Sequence, residues 1–217
     1  MIIVGICGGS GKSTFAERIR DGLSCSCEIM RLDCYYFDQG GKPFEERTKV
    51  NYDSPEIFDF DEMLEDIRLL LDGKPVTRKG YNYAEHRRDD SEELMYPPEV
   101  LIIEGIHVFY DDRICDIMNL KLFIKVDSDI CLLRRIARDM NERGRSLESI
   151  SEQYKATVKP MREKYIDKYI DKADVVVMRG GMNEQALKTT ISYLKSCVKE
   201  QRLAESEKNE SDGNDSE

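Results

Sequence analysis

The sequence, 217 residues long, predicts an α/β fold: a five-stranded, mostly parallel sheet with helices on both faces. Short runs that are apolar throughout alternate with segments of helical periodicity, a pattern typical of parallel strands buried on both faces. A glycine-rich turn joins the first apolar run to the first helical segment. Because no repeat or linker divides the chain, we expect one domain over residues 1–203 and a tail over residues 204–217.

The predicted elements alternate regularly along the chain. Five apolar runs are predicted as strands: residues 1–6, 28–32, 100–103, 120–126 and 174–178. Helical periodicity predicts the helices: residues 15–23, 60–71, 129–143, 146–161 and 183–201. Residues 75–96 are polar and aromatic without a helical period, which favours a small hairpin or an extended insertion.

The charge distribution separates the body of the chain from its tail. The net charge is −10, and residues 205–217 carry six acidic residues against Lys208, so half of this charge lies in the tail. The same segment has no apolar residue, which favours a disordered, solvated terminus over an interaction tail. The acidic body argues against a nucleic-acid polymer as partner.

The composition also bears on where the protein works. No run approaches the roughly 18 apolar residues needed to cross a bilayer, and residues 1–6 lack the basic flank and cleavage site of a signal peptide. Seven cysteines are scattered without a C-x-x-C pair, a pattern typical of reduced intracellular thiols. We therefore expect a cytoplasmic protein without a membrane partner.

The glycine-rich turn lies within residues 1–14, MIIVGICGGSGKST, and indicates a phosphate-binding loop (P-loop). Small residues let backbone N–H groups converge on the phosphates of ATP or GTP at the start of a helix. Lys12 would reach the terminal phosphates, and Ser13 would bind Mg²⁺. The remaining predicted nucleotide-binding residues of the loop are Gly8, Gly9, Ser10, Gly11 and Thr14. The alternative is a glycine-rich turn that binds nothing.

Two carboxylates follow apolar strands that we expect beside the first strand. Asp33 comes after the second predicted strand and Glu104 after the third. The carboxyl ends of parallel strands form the edge at which open α/β sheets bind ligands. We therefore expect Asp33 in the cleft and Glu104 beside the metal ion, although either could be an ordinary residue of a turn.

Arginines and aromatic residues supply two further candidate groups. Five arginines within twelve residues predict a helical lid over phosphates, or else a solvated basic helix: Arg134, Arg135, Arg138, Arg143 and Arg145. Residues 81–86, YNYAEH, could stack on a flat ring and bond to its edge, or pack as an aromatic hairpin on the core.

These groups lie within a series of motifs that resembles one family. The motifs are DCYY from residue 33, NYDSP from residue 51, YNY from residue 81, HRR from residue 86, IEGI from residue 103, RRIARD from residue 134, ERGR from residue 142 and QY from residue 153. Over residues 2–195 the chain resembles the uridine kinase (uridine–cytidine kinase) family, in the P-loop kinase group with phosphoribulokinase and pantothenate kinase.

The resemblance implies a P-loop NTPase fold and an enzyme of pyrimidine salvage. In this family the γ-phosphate of ATP, with Mg²⁺, passes to the 5′-hydroxyl of uridine or cytidine, and GTP is a second candidate donor. By similarity, Asp33 would accept the hydroxyl proton, and Lys12 would act on the phosphates. The lid over the phosphates would contain Arg138, Arg143 and Arg145. Family members are commonly tetramers, so a homo-oligomer is implied.

The resemblance also implies an acceptor site. Asp53 would bind the ribose hydroxyls, with the help of Arg135. Tyr81 and His86 would recognise the edge of the pyrimidine. Two further tyrosines would pack on its ring: Tyr52 and Tyr83.

The phosphate loop departs from the family pattern. The strict G-x-x-x-x-G-K-S frame requires glycine where this chain has Ile6, and the family usually has two more residues before Gly11. Two lost backbone donors would remove contacts worth roughly 1.5–3 kcal/mol each, so we expect weakened ATP binding unless the loop refolds. Two alternative functions stay open: a related kinase of another small hydroxyl acceptor, and a nucleotide-binding regulator with weak transferase activity.

Overall fold

The computed structural model describes residues 1–214, and side chains as far as residue 207. Five parallel strands form one sheet in the order β2-β5-β1-β6-β7, and a separate antiparallel hairpin joins β3 to β4. The strands are β1 (Ile2–Gly8), β2 (Cys27–Arg31), β3 (Val76–Asn82), β4 (Arg87–Met95), β5 (Val100–Glu104), β6 (Leu120–Lys125) and β7 (Val175–Met178). The predicted five-stranded parallel sheet and the predicted hairpin insertion are confirmed.

Helices cover both faces of this sheet. They are α1 (Lys12–Gly22), α2 (Phe44–Arg47), α3 (Phe60–Leu71), α4 (Asp112–Asp116), α5 (Ser128–Arg143), α6 (Leu147–Gln153), α7 (Lys159–Lys164) and α8 (Glu184–Asn214). The apolar stripe of α3 packs with the hairpin on one face, while α1 and α8 pack on the other. Strand residues such as Ile102 and Ile103 are fully buried because each face has its own core.

Two predicted boundaries differ in ways that affect the site. Strand β1 continues past residue 6 to Gly8, because its ladder with β6 pairs Gly8 with Ile124. The predicted helix over residues 146–161 is divided into α6, a π-helical turn at Tyr154–Val158, and α7. Such π turns recur at functional sites, where they change the direction of side chains along a helix.

The last helix extends beyond the predicted domain boundary. Residues 204–214 continue α8, and residues 215–217 lie outside the described residues. Side chains one turn apart are bonded in its described part, as between Gln201 and Glu205. The boundary at residue 203 and the disordered tail therefore stay predictions. Within residues 1–214, no helix is long and apolar enough to cross a bilayer.

Candidate active site

A cavity of about 1110 Å³ opens at the carboxyl edge of the sheet. The phosphate loop, the ends of β2 and β5, the hairpin and helices α5–α7 line its wall. Of the predicted site residues, only Gly8 does not line it, because Gly8 ends β1 against the backbone of Ile124. The topology thus brings the other predicted residues for phosphate and acceptor binding into one cavity.

The phosphate loop has the local geometry of an anion site. Gly11 begins α1 with φ at 89°, a conformation that favours glycine. The backbone N–H groups of residues 10–14 donate to no other group in the described part of the chain. The Nζ atom of Lys12 folds back toward the loop and donates to the carbonyl of Gly9 at 3.3 Å. These free donors at a helix start favour phosphate binding, although only three residues join β1 to α1.

The predicted metal ligands lie in contact with each other. Ser13 Oγ donates to Glu104 Oε1 at 2.8 Å, and Arg31 Nε lies 3.7 Å from the same oxygen. Burial raises the pKa of Glu104, with a further rise from the charge of Asp33, while Lys12 acts in the opposite direction. One hydroxyl and one carboxylate fit Mg²⁺, which completes its octahedron with water and substrate phosphates.

Asp33 stands in the cavity within the short helical turn Leu32–Tyr35 that follows β2. Its Oδ2 atom accepts a hydrogen bond from the hydroxyl of Tyr83 at 2.6 Å. Burial and the charge of Asp33 raise the pKa of Tyr83, so this hydroxyl stays protonated and donates. The guanidinium of Arg143 lies 4.6 Å from the centre of the Tyr83 ring. The hairpin therefore links the expected base to the arginine lid.

Aromatic residues form one wall of the cavity that Asp33 also lines. The rings of Tyr52 and His86 are stacked 4.9 Å apart, and Tyr36, which the sequence analysis gave no role, lies 4.7 Å from Tyr81. The ring of Tyr81 lies 6.4 Å from that of Tyr52, and its hydroxyl is buried without a hydrogen-bond partner in the described part of the chain. Burial lowers the pKa of His86, and the charges of nearby arginines lower it further. His86 is therefore a neutral ring that both donates and accepts.

Asp53 is held from three sides. Its Oδ2 accepts from Thr157 Oγ1 at 3.1 Å, and its Oδ1 lies 3.6 Å from Arg135 Nη1. The buried His107 contacts the Asp53 carbonyl through Nε2 at 2.8 Å and Tyr169 Oη through Nδ1 at 2.9 Å. Since a carbonyl only accepts, Nε2 carries the proton and Nδ1 accepts from Tyr169. His107 is thus a packing residue that also fixes the backbone of Asp53.

The lid arginines surround one buried carboxylate, Asp139 on α5, which is fully inaccessible to solvent. Arg138 Nη2 lies 2.8 Å from Asp139 Oδ1, and three further guanidinium groups lie between 3.5 and 3.7 Å: those of Arg135, Arg143 and Arg145. Gln153 Oε1 also accepts from Arg135 and Arg145. Four arginines of the lid therefore pair with one acidic side chain.

Sequence reasoning assigned no role to several residues of this site. Asp139 and Gln153 lie inside motifs that were noted, but nothing in their spacing shows that they anchor the arginines. Thr157 lies in the π turn, and its contact with Asp53 joins residues that are 104 positions apart.

Comparison with known proteins agrees with this geometry. The model of the phosphoribulokinase/uridine kinase family matches residues 2–186. The uridine kinase of Ligilactobacillus salivarius is 41% identical over 201 residues, covering 91% of this chain and 94% of that protein. The uridine kinase of Streptococcus uberis is 43% identical over 202 residues, covering 92% of this chain and 96% of that protein.

The fold is shared with more distant kinases. The phosphoribulokinase of Rhodobacter spheroides superposes with a TM-score of 0.62 at 14% identity, covering 82% of this chain and 69% of that one. This likeness concerns the fold, while the sequence matches over nine tenths of the chain concern the family. The chain belongs to the phosphoribulokinase/uridine kinase family.

Proposed function

We propose that this protein transfers the γ-phosphate of ATP to the 5′-hydroxyl of uridine or cytidine, as an enzyme of cytoplasmic pyrimidine salvage. The observation that carries the proposal is one cavity whose lining contains Asp33, the phosphate loop and the aromatic wall. Relatives named uridine kinase, at 41–43% identity, support the choice of a nucleoside as acceptor. The use of ATP with Mg²⁺ and the assembly of a tetramer, both implied by the resemblance, belong to the same proposal.

The aromatic wall suits a pyrimidine. Tyr52 and His86 offer stacked faces, and the buried, unbonded hydroxyl of Tyr81 would reach the edge of a base by turning toward the cavity. Uracil and cytosine differ at two adjacent edge positions: position 4 accepts in uracil and donates in cytosine, and N3 does the reverse. Because neutral His86 can do either, the geometry favours the use of both nucleosides.

Asp53 and Arg135 provide the ribose contacts. A carboxylate accepts from both hydroxyls of a diol, and this one is already oriented by Thr157 and by the His107 contact to its backbone. Arg135 lies beside it on α5 and can donate to the same hydroxyls. This arrangement would direct the 5′-carbon of the ribose toward Asp33.

In the transfer step, Asp33 accepts the proton of the 5′-hydroxyl while the 5′-oxygen forms a bond to the γ-phosphorus. The bond from the γ-phosphorus to the bridging oxygen breaks, and ADP leaves with that electron pair. Tyr83 must give up its hydrogen bond to Asp33, or share the carboxylate, when the nucleoside arrives. A carboxylate within hydrogen-bond distance of the hydroxyl is the geometry that general-base catalysis requires.

The donor phosphates would lie on the loop, with Lys12 at their terminal end. Mg²⁺ held by Ser13 and Glu104 would neutralise phosphate charge when bound. Arg138, Arg143 and Arg145 would stabilise the charge on the transferred group and exclude water from it. Exclusion of water matters because Asp33 could also activate a water molecule and so hydrolyse ATP.

An acceptor panel tests the proposal directly. Purified protein is incubated with γ-labelled ATP or GTP and, in turn, with uridine, cytidine, 2′-deoxyuridine, pantothenate and ribulose 5-phosphate. We expect labelled UMP and CMP, with 2′-deoxyuridine weakened because Asp53 loses one hydroxyl partner. Labelling only of pantothenate or of the sugar phosphate would identify a different kinase, and nucleotide binding without any labelled acceptor would indicate a regulator.

A further inference from the structure

Two arginines with no role in the proposed mechanism lie against the shortened phosphate loop. The loop consists of three residues, Gly9–Gly11, between β1 and α1. Arg134 projects from α5 and Arg162 from α7, and both line the cavity together with the loop. From these positions the two arginines could supply contacts to a polyphosphate that a loop with few backbone N–H donors lacks.

Arg134 lies between the loop and the turn that follows β7. Its Nη1 atom donates to Ser10 Oγ at 3.3 Å. On the other side, a Cβ atom built on Gly180 would lie 3.3 Å from the same nitrogen. The other nitrogens of Arg134 have no partner in the described part of the chain, so its guanidinium can bind a ligand without breaking a salt bridge.

Arg162 lies near the same loop, beside the segment that follows β6. Its side chain is 19% exposed, and its Nη2 atom donates to the Val126 carbonyl at 3.4 Å. Cys131 Sγ donates to that same carbonyl at 3.7 Å, and a Cβ built on Gly9 would lie 3.0 Å from the sulfur. Asp167 pairs with Nε of Arg162 at 3.0 Å, which leaves Nη1 unbonded.

Three positively charged side chains lie close enough to the Cys131 thiol to affect its pKa. Burial raises its pKa, while the positive charges of Arg162, Arg134 and Lys12 each act to lower it. The three cations come from three separate helices, α7, α5 and α1, and meet beside the free N–H groups of the loop. Such an arrangement attracts multiply charged anions.

We propose that Arg134 and Arg162 bind the donor polyphosphate and replace contacts that the two missing loop residues would have made. This inference rests on the proposed use of ATP, and it names two residues that would let the short loop bind ATP. A guanidinium can donate two parallel hydrogen bonds to a phosphate, so one arginine can substitute for two backbone N–H groups. Without them, the short loop would bind the nucleotide weakly.

The test measures nucleotide binding without any acceptor, so its outcome does not depend on which molecule is phosphorylated. Isothermal titration of MgADP compares the natural protein with Arg162→Gln, Arg162→Lys and Arg134→Gln. We expect the dissociation constant to rise about tenfold or more for each glutamine variant, and less for lysine, which keeps the charge. Arg113→Gln is the matched control, because Arg113 pairs with aspartates outside the cavity.

A second set of variants tests whether these arginines compensate for the loop. Ser-Gly is inserted before Gly11, and Arg162→Gln is repeated in this lengthened chain. Compensation predicts that the penalty for losing Arg162 falls to about threefold or less once backbone donors return. An equal penalty in both loops would contradict the proposal, as would a glutamine variant that binds MgADP as well as the Arg113 control does. Loss of MgADP binding in the lengthened chain would also contradict it, because the two inserted residues would then supply none of the phosphate contacts that the proposal says are missing.

Discussion

Asp139→Asn removes the one carboxylate around which the lid arginines gather. The change keeps the shape of the side chain but leaves four guanidinium groups facing a neutral amide, whose NH₂ group cannot accept from them. Breaking a buried ion pair costs about 3–5 kcal/mol. The four arginine side chains are 21–44% exposed and so partly screened by water, which places the expected loss of unfolding free energy near the lower limit, about 3 kcal/mol.

Thermal unfolding measures this loss. For a chain of this length, about 3 kcal/mol corresponds to a fall in Tm of roughly 6–12 °C. We also expect kcat to fall at least about tenfold, because three arginines proposed to contact the phosphates lose their common anchor. Sodium sulfate should restore more stability to the variant than to the natural protein, since it screens the repulsion among the arginines.

The exposed Asp116 provides the control, because Asp116→Asn makes the same chemical change away from the lid. Our reasoning about the lid would be refuted if Asp139→Asn melted within a degree of the Asp116 control and kept its kcat. A large fall in Tm without any response to sulfate would show that packing around Asp139, and not charge, holds the lid.

Three further predictions concern other parts of the site. Inserting Ser-Gly before Gly11 should lower the KM for ATP in steady-state assays if the arginines replace the missing contacts only in part, and unchanged ATP kinetics would show that the short loop and the arginines beside it are together sufficient. Burial lowers the pKa of His107 from its ordinary value of 6.5 to about 4 in the folded protein. As the pH falls below 6.5, the unfolded chain therefore binds a proton at His107 before the folded protein does. Unfolding free energy in urea should therefore decrease by up to about 3 kcal/mol between pH 6.5 and 4, a slope that His107→Gln should flatten. Tyr81→Phe removes the unbonded hydroxyl and should raise the KM for uridine with little change in the KM for ATP, whereas equal changes in both would place Tyr81 outside the acceptor site.

The sequence pattern was sufficient to predict the sheet and the positions of the main motifs. Apolar runs identified all five parallel strands. Strands that are buried on both faces are apolar at nearly every position, whereas strands with one exposed face alternate between apolar and polar residues. The loop, Asp33 and Glu104 were placed correctly at one edge, since the carboxyl ends of parallel strands must meet there. The division of the helix over residues 146–161 could not be predicted, because a π turn changes hydrogen bonding without changing the apolar pattern enough to detect.

Contacts between distant segments account for what the sequence could not show. The anchoring of the lid by Asp139 depends on the bend at Gly144, which returns Arg145 to the carboxylate. The fixing of Asp53 by His107 joins two loops that only the folded chain brings together. Tyr83, which stays a predicted partner of the pyrimidine ring, also donates to Asp33, a contact made from the turn of the hairpin across 50 positions of sequence.

The central claim is that Asp33 accepts a proton from the acceptor hydroxyl while separate residues bind ATP. Asp33→Asn tests it most directly, because the amide keeps the size of the side chain but cannot take the proton. Transfer of labelled phosphate from ATP to uridine is measured in a single turnover, with MgATP binding measured on the same preparation. We predict transfer reduced by about a thousandfold or more, with binding of MgATP changed less than about threefold. Near-normal transfer by Asp33→Asn would contradict the account.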